Sequence, residues 1–319
     1  MTSKLVTVFG GSGFVGRHTV RALARAGYRI RVAVRRPHTA HFLRPLGDVG
    51  QVELVQANIR DDNSVMAALD GADIAINLVG ILYASGKQSF QAIQADAPGR
   101  IARLAKSAGV DQMIHVSAIG ASLASQSSYA RTKAQGEINL REHFSDATVL
   151  RPSIVFGPED DFFNRFASLA RFLPFLPLIG GGHTRFQPIY VDDVAEAILA
   201  AIELPQAKGQ IFELGGPCVY SFKELLQYIL TVTQRRRLLI PIPFGLAKFQ
   251  AFFLGLLPSP VLTMDQVELL KADNVVGLED DSDLKTIQDL GVAVETVETM
   301  VPSYLYRFRP HGQYEITDA

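Results

Sequence analysis

The chain has 319 residues, 48% of them hydrophobic and 20% charged, enough to bury a large core and to form one large domain with a smaller companion. Its formal net charge of −1, with no basic helix interleaved with aromatics, excludes nucleic acid as an expected partner. The single cysteine, Cys218, has no intrachain disulfide mate, which suits a reducing compartment such as the cytoplasm, and nothing near it suggests a metal site.

The first element is Leu5 to Gly16, LVTVFGGSGFVG, an apolar strand running straight into a glycine-rich turn that opens a helix. Strand residues beginning at Leu5 leave no room for a signal or transit peptide. Gly10, Gly13 and Gly16 fall at the spacing GxxGxxG. The first permits a tight turn, the second lets a diphosphate approach the backbone, and the third lets the helix pack closely on its strand. The stretch Gly10, Gly11, Ser12, Gly13, Phe14, Val15 and Gly16 is therefore the candidate phosphate cradle, with helix-start amides facing negative charge. Val15, Val20, Leu23 and Ala24 share the apolar face of the helix, and Gly27 ends it.

Ile30 to Val34 reads as a second buried strand, ending in Arg35 and Arg36. An acidic residue there would bind the adenosine ribose hydroxyls, whereas arginine suits a 2′-phosphate, so the sequence favours NADP(H) over NAD(H). Val52 to Ala57 is the third strand, and Asn58, Ile59, Arg60 and Asp61 follow where the adenine would lie. Asp62 and Asn63 start the next helix. Ile74 to Val79 is the fourth strand, closing with Asn77, Leu78, Val79 and Gly80, a small, glycine-containing exit that lets the nicotinamide half run past the backbone. A long helix follows through Ile93, Ala97, Ile101, Leu104 and Ala105, with Gly109 as its stop.

Met113 to Ser117, MIHVS, is the fifth strand and delivers Ser117 at its carboxyl end. Tyr129 and Lys133 in YARTK stand four positions apart, on one face of a helix, so phenol and ammonium converge. The ammonium, with a bound nicotinamide cation, stabilises a phenolate that is otherwise a poor base at neutral pH. Ser117 then holds the reacting oxygen. Such a set is acid-base machinery for hydride transfer.

The glycine fingerprint, Ser117 and the Tyr129/Lys133 pair together resemble the extended or atypical short-chain dehydrogenase/reductase superfamily. That resemblance implies an α/β fold, a doubly wound parallel Rossmann sheet with a smaller mixed C-terminal domain. It makes Tyr129 the catalytic acid/base, Lys133 also a holder of the nicotinamide ribose, and Ser117 the substrate-orienting group. In this superfamily an asparagine on the preceding helix often completes the proton relay. Asp96 stands at that place, a departure from an ordinary enzyme.

Thr148 to Arg151 is the sixth strand. The segment RPSIVFGP, Arg151 to Pro158, resembles the superfamily stretch lining the nicotinamide and substrate region, with Pro152 and Ile154 as its contacts. Phe162, Phe163, Phe166, Phe172 and Phe175 follow as an aromatic stripe that suits core better than a substrate box. PIYVDDV, Pro188 to Val194, returns to the nucleotide domain, with Asp192 or Asp193 capping a helix through Ala195 to Ile202. Ile211 to Leu214 adds a short strand. Residues 1–235 are the expected NADP-binding domain, with a small interleaved region near 158–187, and residues 236–319 a docking or substrate domain.

The C-terminal part opens with Arg235, Arg236 and Arg237, then an apolar run whose portion Phe244 to Leu257 is too short to cross a bilayer. It must be covered by its own core, by a partner or by a lipid interface. Pro241, Pro243, Pro258 and Pro260 bracket it. Together with LTMDQVELLKADNVV (262–276), YARTKAQGE and FGPEDDFFNRF, this run resembles the NADPH-binding accessory subunits of respiratory complex I and their bacterial relatives, over essentially the whole chain. The resemblance implies a tightly held, mainly structural cofactor, complex I subunits as partners, and a peripheral place on the cytoplasmic face of a bacterial inner membrane, near the quinone site. The acidic loop Glu279, Asp280, Asp281 and Asp283 reads as solvated. Two alternatives stay open: a free NADP-dependent reductase or epimerase acting on a small carbonyl, sugar-nucleotide or quinone-like substrate, and a sensor of the NADPH/NADP⁺ ratio.

Overall fold

Both faces of the strand Leu5–Phe9 are covered, which is why it reads as an unbroken apolar run. Val6, Val8 and Phe9 are buried, and so is Thr7, whose hydroxyl donates to the Ala68 carbonyl. The computed structural model describes residues 4–255, 262–278 and 283–312. In chain order the elements up to Pro152 are β1 (Leu5–Phe9), α1 (Phe14–Arg25), β2 (Arg29–Val34), β3 (Val52–Gln56), α2 (Asp62–Leu69), β4 (Ile74–Asn77), α3 (Ala97–Ser107), β5 (Gln112–Val116), α4 (Ser128–His143) and β6 (Thr148–Pro152).

The chain divides into two units, each assembled from three segments. The first takes the chain up to Pro152, Asp192–Leu214 and a stretch closing at Ala293; the second takes Ser153–Val191, a stretch from Gly215 and the C-terminal part from Val294. The first unit holds an eight-stranded sheet in the order β3, β2, β1, β4, β5, β6, then the strands Ile211–Leu214 and Lys285–Thr286. Every neighbouring pair in it is parallel. Because β1 lies between β2 and β4, the strand order reverses there, and the carboxyl ends of β1 and β4 form the crevice where such sheets bind ligands. This is the doubly wound α/β fold expected from the sequence.

Local chemistry sets the helix ends. The Asp61 carboxylate accepts the Ser64 amide at the start of α2, and the Ser127 hydroxyl accepts the Ala130 amide at the start of α4. Gly27 and Gly109 close α1 and α3 with φ of 82° and 75°, a backbone state that side chains resist.

Two expectations are corrected. The helix foreseen from Ile93 opens with a π-helical stretch, Gln91–Asp96, before α3 begins. The extra residue per turn rotates the polar positions, a change that hydrophobic spacing does not register. Neither Asp192 nor Asp193 is the cap of its helix; both lie inside the first turn of Val191–Glu203. Asp192 instead accepts from His18 Nδ1 and Arg21 Nη2, each at 2.5 Å. Burial pushes its carboxyl up, but those two partners outweigh it and hold the group at about 2.

In the second unit, the strands Phe175–Ile179 and Leu238–Ile242 pair in parallel. Phe162, Phe163, Phe166, Phe186 and Phe222 form a cluster of mostly edge-to-face rings, so most of the aromatic stripe is core. Phe172 and Phe175 lie outside it and are exposed. The apolar C-terminal run folds as the helix Phe244–Leu254. Ala247 and Ala251 are buried with Ile179 and Val267, whereas Leu246, Phe249, Phe252 and Phe253 are each half or more exposed. Arg235 and Arg237 do not simply face solvent: they donate to the Phe308 and Ala170 carbonyls. The end of that run at Leu257, Pro258, Pro260 and most of the acidic loop lie outside the described residues.

Candidate functional site

The glycine turn behaves as its spacing predicts. Gly10 has φ of 83°, and a Cβ on it would stand 3.1 Å from Val79 Cγ2 and 3.2 Å from the Leu78 carbonyl carbon. A Cβ on Gly11 would meet Val32 Cγ1 at 2.6 Å, and one on Gly16 would collide with the Gly10 carbonyl. At Gly11 and Gly16 the turn and the start of α1 therefore pack too closely for a side chain, which brings backbone amides to the surface offered at the helix start. Ser12, Phe14 and Val15 are half-buried and Gly13 is exposed beside them.

Arg35 and Arg36 follow β2 and are both exposed. Arg35 Nη1 donates to Gln88 at 2.6 Å, and Arg60 Nη1 donates to the Lys87 carbonyl at 2.9 Å. Two guanidinium groups thus reach the segment 87–88, and no acidic side chain stands at the end of β2. Arg60 stands in the stretch after β3 that the sequence assigns to the adenine. Asn58 accepts from Arg60 through Oδ1, while Ile59 is buried in the core of this unit.

The exit of β4 runs between the glycine turn and α4. The Leu78 amide donates to the Phe9 carbonyl at 2.9 Å. Gly80 is exposed, and a Cβ on it would lie 3.5 Å from Lys133 Nζ. Lys133 is 4% exposed and donates to the Val116 carbonyl at 3.1 Å, which brings its amine under the carboxyl end of β5. Burial drives its pKa from 10.5 down to about 8, against an upward pull from Glu137. The amine lies 5.9 Å from the Tyr129 ring centre, so the two share a helix face as the spacing predicts. Tyr129 is half-buried and meets Phe90 edge to face. Ser117 is 3% exposed, and its hydroxyl has no hydrogen-bond partner among the described residues. Pro152 ends β6, its carbonyl accepting the Ile119 amide at 3.0 Å. Ile154 belongs to the second unit.

Asp96 does not occupy the relay place expected of it. It is exposed and accepts from Gln91 at 2.7 Å. The buried polar residue of that stretch is Gln94, whose Oε1 accepts from the Thr132 hydroxyl and whose Nε2 donates to the Ile81 carbonyl. The π-helical turn makes this exchange, because it rotates Gln94 inward and Asp96 outward. Glu137 was also missed. It sits one turn beyond Lys133, is 4% exposed and takes both Arg151 Nε and Nη2, fixing α4 to β6. A charged residue recurring at four-residue spacing after YxxxK was the available signal for it.

A model of the family described as NAD dependent epimerase/dehydratase matches residues 6–215, which span β1 through the strand Ile211–Leu214. The chain belongs to the NAD dependent epimerase/dehydratase family. Within this family it is similar to the NADH dehydrogenase [ubiquinone] 1 alpha subcomplex subunit 9 of Mus musculus mitochondria, at 35% identity over 96% of this chain and 81% of that one. It is also similar to a ceramide reductase of Caulobacter vibrioides, at 33% identity over 63% of this chain and 62% of that one. Among solved structures, a dTDP-glucose 4,6-dehydratase of Streptomyces venezuelae with NAD and TYD bound superposes with a TM-score of 0.72 at 18% identity, covering 95% of this chain and 96% of that one. The family's cofactor is an NAD(P)-type dinucleotide, and the residues of this chain fit one. The closely packed glycine turn leaves its amides to a diphosphate, and the buried Ser117 hydroxyl at the end of β5 has no partner among the described residues.

Proposed function

We propose that this protein is an NADP(H)-binding accessory subunit, or assembly and stability factor, of respiratory complex I, in which the cofactor serves mainly to hold the fold. The observation that carries this reading is the similarity to the mouse complex I subunit, which extends over 96% of the chain and so includes the second unit as well as the dinucleotide fold. Gly10 to Gly16 would hold the diphosphate, and Lys133 the nicotinamide ribose. Arg35 and Arg36 would take the 2′-phosphate, with Arg60 beside them. Leu78, Val79 and Gly80 would flank the nicotinamide half, with Pro152 as a further contact.

When bound, the dinucleotide would supply or accept a hydride. The chain's own groups are arranged for the accompanying proton: the Tyr129 hydroxyl gives or takes it, the Lys133 ammonium favours the phenolate, and the Ser117 hydroxyl orients the oxygen that changes charge. That set, together with the similarity to a ceramide reductase, supports a second reading, a free NADP-dependent reductase. An apolar lipid-like substrate is the class it points to.

Docking would use the helix Phe244–Leu254, whose Leu246, Phe249, Phe252 and Phe253 face outward. Among the described residues, no helix is long and apolar enough to cross a membrane. Attachment would therefore be peripheral, at the cytoplasmic face of a bacterial inner membrane. The deciding experiment is affinity purification from detergent-solubilised native membranes. Recovery of complex I subunits at stoichiometric yield is expected. Protein wholly in the soluble fraction, with no respiratory subunit attached, would sink this reading and promote the reductase.

A further inference from the structure

Asn77 and His115 are direct register partners at the carboxyl ends of β4 and β5. They are 0% and 1% exposed, and the acid-base set does not use either. Asn77 Oδ1 accepts the Val79 amide at 3.2 Å, and Asn77 Nδ2 faces His115 Nδ1 at 3.2 Å. The first bond decides the second. A backbone N–H can only donate, so the amide oxygen must face Val79 and the amide nitrogen is left for the imidazole. An amide nitrogen also only donates, so a bond between the two makes Nδ1 the acceptor, whereas a proton on Nδ1 would point at the Asn77 main chain instead. The ring is neutral: burial, then the Lys133 ammonium, lower its pKa to about 3 against a smaller upward pull from the Asn77 backbone. Its single proton therefore sits on Nε2, which is buried and has no partner among the described residues.

We propose that His115 is a positioning residue, held as the Nε2–H tautomer, whose bare Nδ1 fixes the Asn77 amide and through it the backbone turn Leu78–Val79–Gly80. That turn is confined on both sides. Gly10 approaches Leu78 and Val79 closely, and Gly80 lies against Lys133 Nζ. A shift of the turn would therefore be felt at the nicotinamide half of a dinucleotide, while the adenosine half, lying toward Arg35, would be spared. This step rests on the dinucleotide reading of the site given above.

Two measurements test it. Nitrogen-15 spectra of the histidine-labelled protein at neutral pH, with His115 assigned from the spectrum of His115→Asn, should show a ring protonated at Nε2 alone. A proton on Nδ1, pointed at the Asn77 main chain, overturns the proposal, and this readout needs neither ligand nor a foldable variant. In titrations, His115→Phe removes the acceptor and should weaken NADPH binding by roughly tenfold or more, while binding of adenosine 2′,5′-bisphosphate stays at the parent level. His115→Asn places an acceptor oxygen close to the lost Nδ1 and should restore most of the NADPH affinity. Equal losses for both ligands, or no rescue by asparagine, overturn the positioning role. A parent protein that binds neither ligand overturns the dinucleotide reading and the cofactor-positioning role with it, whereas the tautomer is read separately.

Discussion

Lys133 combines deep burial with a charge, and the cost of that combination can be read from pH. Its folded pKa, about 8, lies below the 10.5 of an exposed lysine. Below pH 8 both folded and unfolded chains carry the proton, and the folded state bears the full cost of the buried charge. Between 8 and 10.5 the unfolded chain holds more protons, so stability attributable to this group rises with pH. The stability difference between Lys133→Met and the parent should therefore shift in the parent's favour by roughly 3 kcal/mol across that window. Denaturant melts at pH 7.5 and 10.5 check it, and a flat difference would show that the amine is not buried as a cation.

Tyr129 and Arg35 separate the remaining roles at this scale. Tyr129→Phe keeps the ring against Phe90 but removes the proton, so cofactor affinity should stay near the parent value while any turnover is lost. Arg35→Asp places an acidic group at the end of β2 and should reverse or abolish a preference for NADPH over NADH. Competitive titration with both dinucleotides reads this. Equal affinities in the parent would remove the arginine argument.

At the scale of elements, α4 carries the proposed acid-base pair, and its position depends on how closely it meets the chain before it. A Cβ on Gly136 would collide with the Gln94 carbonyl, and one on Gly99 of α3 would stand 2.9 Å from Asn139 Cβ. Glycine in a helix interior ordinarily weakens it. Here it lets the backbones approach, so that Lys133 reaches the end of β5 while Gln94 spans Ile81 and Thr132. Gly136→Ala raises helix propensity yet should destabilise the protein by roughly 1–3 kcal/mol through overpacking. It should also weaken cofactor binding, because α4 moves as a body. A thermal melt with an unchanged or raised midpoint would refute the close-approach account.

At the scale of the whole molecule, the second unit presents a helix that is apolar on both sides but buried on only one. Ala247 and Ala251 face the core, whereas Phe252 and Phe253 are 54% and 55% exposed. Covering about 400 Å² of such surface would contribute about 10 kcal/mol gross, before the costs of association. Introducing glutamate at Phe252 and Phe253 together should leave folding and NADPH affinity near the parent values, since exposed substitutions usually cost little. The same double variant should lose the proposed complex I partner in fractionation. A joint fall in thermal stability and cofactor binding would instead mark these rings as internal. Saturating cofactor should raise the parent's stability by about 4 kcal/mol at a thousandfold excess over Kd, measurable as a shift in midpoint, and no shift would show that the dinucleotide does not bind the folded state.

What the sequence determined by itself is what short-range rules encode. The strand-turn-helix around Gly10 to Gly16 was legible because the glycine spacing, the apolar run and the helix period are all local. So were Tyr129 and Lys133 on one face, a geometric consequence of four-residue separation, and the alternating strands and helices of the parallel sheet. Tertiary structure alone decided what depends on which distant backbone comes near. Asp192 reads locally as a helix cap, yet it is bonded to His18 and Arg21. Asp96 reads as the relay residue, yet the π-helical stretch leaves it exposed and buries Gln94 against Thr132. Asn77 and His115 look like polar interruptions in two buried strands, because their partnership exists only once β4 and β5 lie in register. The outward phenylalanines belong to the same class: composition gives the helix Phe244–Leu254 its apolar character, but which side is covered is set by the packing of Ile179 and Val267 against its alanines.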